Sequence, residues 1–224
     1  MRGMKSQRGM SMIEVLLAVS VAVLMLASMT RLMGDARQEM RAQTAADGIR
    51  AFQTAAQQYY EANRDALLQA MVDGSDAEQL CRLGVDKNGN GGTLANSTTK
   101  HTCAFDASWL KAKLLLGENY RESTAQGERL VAILRHIHDQ DGQPTGNAEL
   151  LVVAAEGAPD PSESRHAFNL AVASNLGFSG GLVPDRDRGL CNARQYEVCG
   201  NGWKLDLRDF IDAGQLGHFS SQLQ

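Results

Sequence analysis

The sequence predicts an α+β protein: one long N-terminal helix, then an antiparallel sheet with extra short helices. Three observations predict it. The first 143 residues contain no proline, so nothing in the backbone chemistry interrupts a helix there. Apolar residues recur at three- and four-residue steps as far as Met71. Beyond residue 128 the pattern changes to two apolar runs separated by a turn-rich linker, the mark of a hairpin.

The bulk numbers fit a globular chain. It has 224 residues, 43% hydrophobic and 21% charged, with a net charge of −4. That is long enough to bury a sizeable core. Acids and bases are mixed along the chain, with no clustered basic stripe of the kind a nucleic-acid surface carries.

The first nine residues, MRGMKSQRG, carry Arg2, Lys5 and Arg8 and no acid, a positive-inside flank. From Val15 to Met29 there is no charge, and the polar residues are Ser20 and Ser28 alone. Met10 to Thr30 is long enough to cross a bilayer, which takes about 20 helical residues. One carboxylate, Glu14, interrupts this segment. A carboxylate at the centre of a span costs roughly 2.5–3.5 kcal/mol, so it needs a partner or a task. A secretory signal peptide fits poorly, because no A-x-A site closes the run. A plain signal anchor leaves Glu14 unexplained.

Gly9-Met10-Ser11-Met12-Ile13-Glu14 resembles the processing signal of type IV prepilins. The resemblance implies cleavage between Gly9 and Met10 by a dedicated prepilin peptidase, and N-methylation of the new terminus at Met10. Glu14 then becomes the fifth mature residue, which in that family is thought to pair with the terminal amine of a neighbouring subunit during assembly. The pairing is physically reasonable, since a buried carboxylate is destabilising until it is paired. A first mature residue other than Phe points to the type IVb branch.

The helical pattern continues past Arg31. Ala45, Ile49, Phe52, Ala56, Tyr59, Tyr60, Leu67 and Met71 form an apolar stripe, with Gly48 the lone glycine from 35 to 71 and Asp73-Gly74-Ser75 as the stop. The expected alternative to one helix is a kink near Gly34 or Gly48. The aromatic residues of the stripe are read as core. The expected division is therefore a leader over 1–9, a transmembrane and polymerisation half of the helix over 10–34, an amphipathic half over 35–74, and a globular head over 75–224.

In the head, 76–83 reads as a short helix and 84–102 as a polar loop with four glycines. Residues 105–117 read as a helix capped at Asp106 and stopped at Gly117. Residues 129–139 and 149–157 read as two strands of a hairpin. On the first, Val131, Ile133 and Ile137 share one face, opposite Leu130 and Leu134. Residues 160–177 read as a helix with Asp160 at the N-cap, Pro161 at N1 and Glu163 at N3. Its face of Ala167, Leu170, Ala171 and Ser174 suits packing on a sheet. Residues 180–184 and 202–207 read as short strands. Cys81, Cys103, Cys191 and Cys199 fit an oxidising compartment. Of three possible pairings, the local one, Cys81–Cys103 and Cys191–Cys199, is expected.

Several motifs fall short of a site. Asp86, Asn88, Asn90 and Gly91 begin like a calcium loop, but Ser97 stands where a bidentate Glu is needed. His136 and His138 share a strand face with no third ligand evident, so no metal is expected. Gly177-Phe178-Ser179-Gly180-Gly181 has the wrong spacing for a nucleophile elbow. Asp185, Arg186, Asp187 and Arg188 read as a solvated charged loop. No catalytic constellation or cofactor motif is present, and no enzyme activity is expected.

The head also resembles that of PilV-type minor pilins. Gly180-Gly181-Leu182-Val183, Gly202-Trp203, residues 59–68 and Trp109-Leu110 carry the likeness. It implies a pilin-like fold, the long helix packed on an antiparallel sheet, and a minor pilin of a type IVb pilus. Such a subunit sits in the inner membrane before assembly and then in the extracellular fimbrium. Its implied partners are other pilin subunits, the prepilin peptidase, the membrane, and a host or recipient cell receptor in adhesion. PilV-type proteins continue into a long variable C-terminal region, whereas this sequence runs only to Gln224, so initiating or capping the fibre is an expected role beside adhesion. The open alternatives are a major type IVb pilin, a type II secretion pseudopilin, and a membrane-anchored binding protein or enzyme that never assembles.

Overall fold

The structure is a computed structural model that describes residues 12–124, 127–139, 141–155, 163–182, 197–200 and 203–210. It is mixed helix and antiparallel sheet. The chain divides into two compact units, Met1–Arg41 and Ala42–Gln224, and the bounds of the first helix cross that division.

Helix α1 runs over Met12–Ala62 without a break at Gly34 or Gly48. It is not continuous to Met71 as expected. Asn63 interrupts it and α2 follows over Arg64–Asp73. There the Asn63 side-chain amide donates to the Tyr59 carbonyl at 2.9 Å, sharing that acceptor with its own backbone N–H at 3.1 Å. Gly74 then ends α2 as expected, in the left-handed region at φ 82°, its N–H on the Ala70 carbonyl at 3.0 Å.

The stretch 76–83 is only partly helical. Helix α3 covers Ala77–Leu80, and strand β1 takes Arg82–Leu83. The glycine-rich stretch after it holds two short strands, β2 at Thr93–Leu94 and β3 at Asn96–Ser97. Strand β4, Thr102–Asp106, replaces the start of the helix expected from 105. Asp106 does cap the helix that follows, α4 over Ala107–Ala112, by accepting from the Trp109 N–H at 3.1 Å. That helix stops before Gly117, with Leu114 at φ 60°.

The hairpin is present and longer than expected. Strand β5 spans Arg129–His138 and β6 spans Pro144–Ala155. They pair antiparallel with Ile133 opposite Leu151, and the register shifts between His136 and His138. Strands β3, β4, β5 and β6 form one sheet in that order. Strands β1 and β2 form a separate two-stranded sheet, with β1 beside β4. A third sheet joins β7 (Gly181–Leu182), β8 (Glu197–Gly200) and β9 (Lys204–Asp206).

Strand β5 is buried on both faces, as the sequence pattern implied. Leu130, Ala132 and Leu134 face a core with Phe52, Ala56 and Tyr59 of α1 and Leu67 and Met71 of α2. Each such large side chain contributes about 1.5–3 kcal/mol on burial. Tyr59 is the hub. Its ring meets Phe105 edge-on at 4.8 Å, and its hydroxyl donates to the Leu80 carbonyl at 3.1 Å and accepts from the Trp109 indole at 3.0 Å. On the other face, Val131 and Ile133 pack with Val198, Leu207 and Phe210, so the third sheet and the turn after it cover β5.

Helix α5, Glu163–Leu176, packs differently from the expectation. Leu170 is 47% exposed, and Ala167 and Ser174 are exposed too. The buried side chains are Phe168 and Val172, and they pack on Ala42 and Ala46 of α1 rather than on a sheet. The small alanines of α1 leave room for the Phe168 ring, which has far more surface to bury than the alanine face had. The expected caps Asp160 and Pro161 lie outside the described residues.

Candidate functional site

The predicted processing and assembly residues lie at the start of the chain. Gly9 and Met10 are outside the described residues, and Glu14 falls on α1. Further along α1, Val19, Val23, Met25, Leu26, Met29 and Met33 are exposed, Leu26 by 64%. An apolar surface of this kind gains about 25 cal/mol for each Å² covered, and contiguous exposed apolar area marks interaction sites. Among the described residues no helix is long and apolar enough to cross a membrane; the expected span over 10–34 begins outside them.

In the second unit, Cys81 and Cys103 form a disulfide with a Cα–Cα distance of 5.3 Å, joining the end of α3 to β4. Cys199 on β8 is also disulfide-bonded, and Cys191 lies outside the described residues. Gly181 of the expected strand over 180–184 meets Trp203 at the third sheet, together with Gly200 of β8, a strand not expected from the sequence. The Trp203 ring lies over Gly181 and Gly200, where an added Cβ would fall into the indole, at 2.5 Å in the case of Gly181. The indole N–H donates to the Phe178 carbonyl at 2.8 Å. Bare glycine is what lets the ring lie on the sheet. Gly202 and the charged loop from Asp185 to Arg188 lie outside the described residues.

The calcium-loop-like turn and the Ser179 motif are satisfied within the chain. The Asp86 carboxylate accepts from the N–H groups of Asn88 and Asn90 at 2.8 and 2.9 Å, closing its own turn. The Ser179 hydroxyl donates to the Leu176 carbonyl at 3.2 Å. Two tyrosines are shifted by their surroundings. Burial pushes the Tyr120 phenol up to about 12, and its hydroxyl donates to the Gly48 carbonyl of α1 at 2.9 Å. Burial also raises Tyr59, against the smaller lowering effect of its bond to Trp109.

One grouping escaped the sequence reading. His101, in the connection between β3 and β4, lies beside the strand pair His136 and His138. Its ring centroid is 4.7 Å from that of His138, which is 5.3 Å from that of His136. The His136 backbone N–H donates to the His101 carbonyl at 2.9 Å and holds the two segments together. Burial, then the neighbouring His138 and His101, hold the His136 imidazole below its ordinary pKa. No sequence spacing signals this grouping, because it arises from the pairing of β4 with β5. Among the described residues no three His, Cys, Asp or Glu side chains stand arranged to hold a metal ion.

Comparison with family models, curated proteins and solved structures gave no significant match to this chain.

Proposed function

We propose that the protein is a minor pilin of a type IVb pilus. It inserts in the inner membrane, is cut between Gly9 and Met10, and joins the fibre through its N-terminal helix. One observation carries the reading: a basic leader ends at Gly9, Glu14 follows as the lone acid, and no further charge appears until Arg31. The exposed apolar side chains of α1 support it, since covering them with lipid or with sister helices is favourable. The disulfide between Cys81 and Cys103 supports passage to an oxidising compartment. The α+β architecture, with α1 and α2 contributing to the core against β5, is of the kind a pilin head requires.

In this reading the Glu14 carboxylate fixes subunit register, because every packing that leaves it without a cation in low dielectric is penalised. The test is expression with and without the prepilin peptidase. The chain is expected to migrate more slowly, with its leader retained, when the peptidase is deleted. Identical mobility in both strains contradicts the proposal.

A further inference from the structure

Asparagine is a chemically labile side chain, and its neighbour in the chain decides how labile. A backbone nitrogen that has lost its proton can attack the side-chain carbonyl carbon of the asparagine before it. Glycine has no Cβ to obstruct that approach. Three Asn-Gly pairs occur here, at 88–89, 90–91 and 201–202. The third lies outside the described residues. The first two lie in the connection between β1 and β2.

The turn does not treat its two pairs alike. The Gly89 N–H donates to the Asp86 carbonyl at 2.9 Å, and Gly89 is half-buried beside Ala112 and Trp109. Attack from that nitrogen must first break a hydrogen bond. Gly91 is exposed, and among the described residues its N–H has no hydrogen-bond partner. The Asn90 carbonyl accepts from the Asp86 N–H at 2.9 Å. In a trans peptide the carbonyl and the N–H point opposite ways, so this bond turns the Gly91 nitrogen away from Asp86. Asn90 is exposed too, and among the described residues its side chain makes no hydrogen bond that would hold it back.

We propose that Asn90 is a site of spontaneous deamidation, and that the fold directs the reaction there rather than to Asn88. Hydroxide takes the Gly91 amide proton, the nitrogen bonds to Asn90 Cγ, and the Cγ–Nδ2 bond breaks. The leaving nitrogen takes a proton from water, so ammonia departs and hydroxide is regenerated. Water then opens the resulting five-membered imide. Breaking the Gly91 N–Cγ bond gives aspartate, and breaking the bond to the main-chain carbonyl carbon gives isoaspartate. One water is consumed, one ammonia is released, and nothing is oxidised or reduced. Either product sets a new carboxylate in the turn that Asp86 closes. Isoaspartate also adds one carbon to the main chain between β1 and β2. The Gly91 carbonyl accepts from Arg82 of β1, so the longer path pulls on the contact that ties the turn to its strand.

The test incubates the full chain in non-ionic detergent and mildly alkaline buffer, and follows the peptide over 88–100 by tandem mass spectrometry. A gain of about 1 Da, the exchange of an amide for a carboxyl group, is expected at Asn90. It should appear about 2–10-fold faster than at Asn88, the slowing that one backbone hydrogen bond of ordinary net strength imposes. The same chain unfolded in urea should lose the preference, with both asparagines reacting at similar rates. In urea, where the turn is gone, Gly91→Ala should suppress the reaction at Asn90 and leave Asn88 unchanged. Equal rates in the folded chain, faster reaction at Asn88, or an Asn90 that stays intact in the folded chain after the unfolded chain has converted overturns the proposal. So does a Gly91→Ala chain that reacts at Asn90 as fast as the unaltered one.

Discussion

Three side chains show how single groups set local stability. Tyr59 is buried with its hydroxyl bonded twice. Tyr59→Phe leaves the Trp109 indole N–H without its acceptor, and urea unfolding should show a loss of about 1–3 kcal/mol. Gly181 lies under the Trp203 ring. Gly181→Ala forces the ring off the sheet, and overpacking of this kind costs about 1–3 kcal/mol, read as a lower thermal midpoint. A Trp203→Ala background should remove most of that penalty. His136 ties stability to pH. Its folded pKa is depressed, first by burial and then by His138 and His101. The unfolded chain therefore takes up that proton at higher pH than the folded one. In metal-free buffer the contribution of His136 should be complete above about 6.5, the ordinary histidine value, and fade as the pH falls from there towards the depressed folded value. His136→Phe, if it folds, should flatten the stability profile in that window.

Among the elements, the Cys81–Cys103 link closes a segment with a sequence separation of 22 that contains three short strands and no long helix. Reduction with dithiothreitol should cost about 2–4 kcal/mol of stability, measured by urea unfolding with and without reductant. The contrast between long and short elements also explains what could be read in advance. Helix α1, the β5–β6 hairpin, the Asp106 cap and the Gly74 stop were legible because each has a period or a capping residue of its own. Strands β2 and β3, two residues each, carry no period, and their backbone partners lie elsewhere in the chain. Strand β4 was hidden because its last residue, Asp106, is also a helix cap, and the cap is the stronger signal. The burial of Phe168 instead of Ala167 and Ser174 follows from which surface α5 meets, and α5 alone does not encode that. The three-histidine grouping was illegible for the same reason: only the alignment of β4 with β5 brings His101 to His136. The Cys81–Cys103 pair was legible because it is local.

For the protein taken entire, the proposed role depends on its first residues. Glu14→Leu removes the acid from the apolar run and with it the penalty on misplaced packing. Expressed beside wild-type fibre subunits, that variant should be processed normally yet enter purified pili at a small fraction of the wild-type level. Equal incorporation would remove Glu14 from the assembly mechanism. The most direct test is the intact mass and N-terminal peptide of the protein isolated from cells that carry a prepilin peptidase. A first residue of Met10 bearing one added methyl group is expected. A chain that still begins at Met1 or Arg2, unmethylated and with its nine-residue leader in place, would contradict the pilin reading.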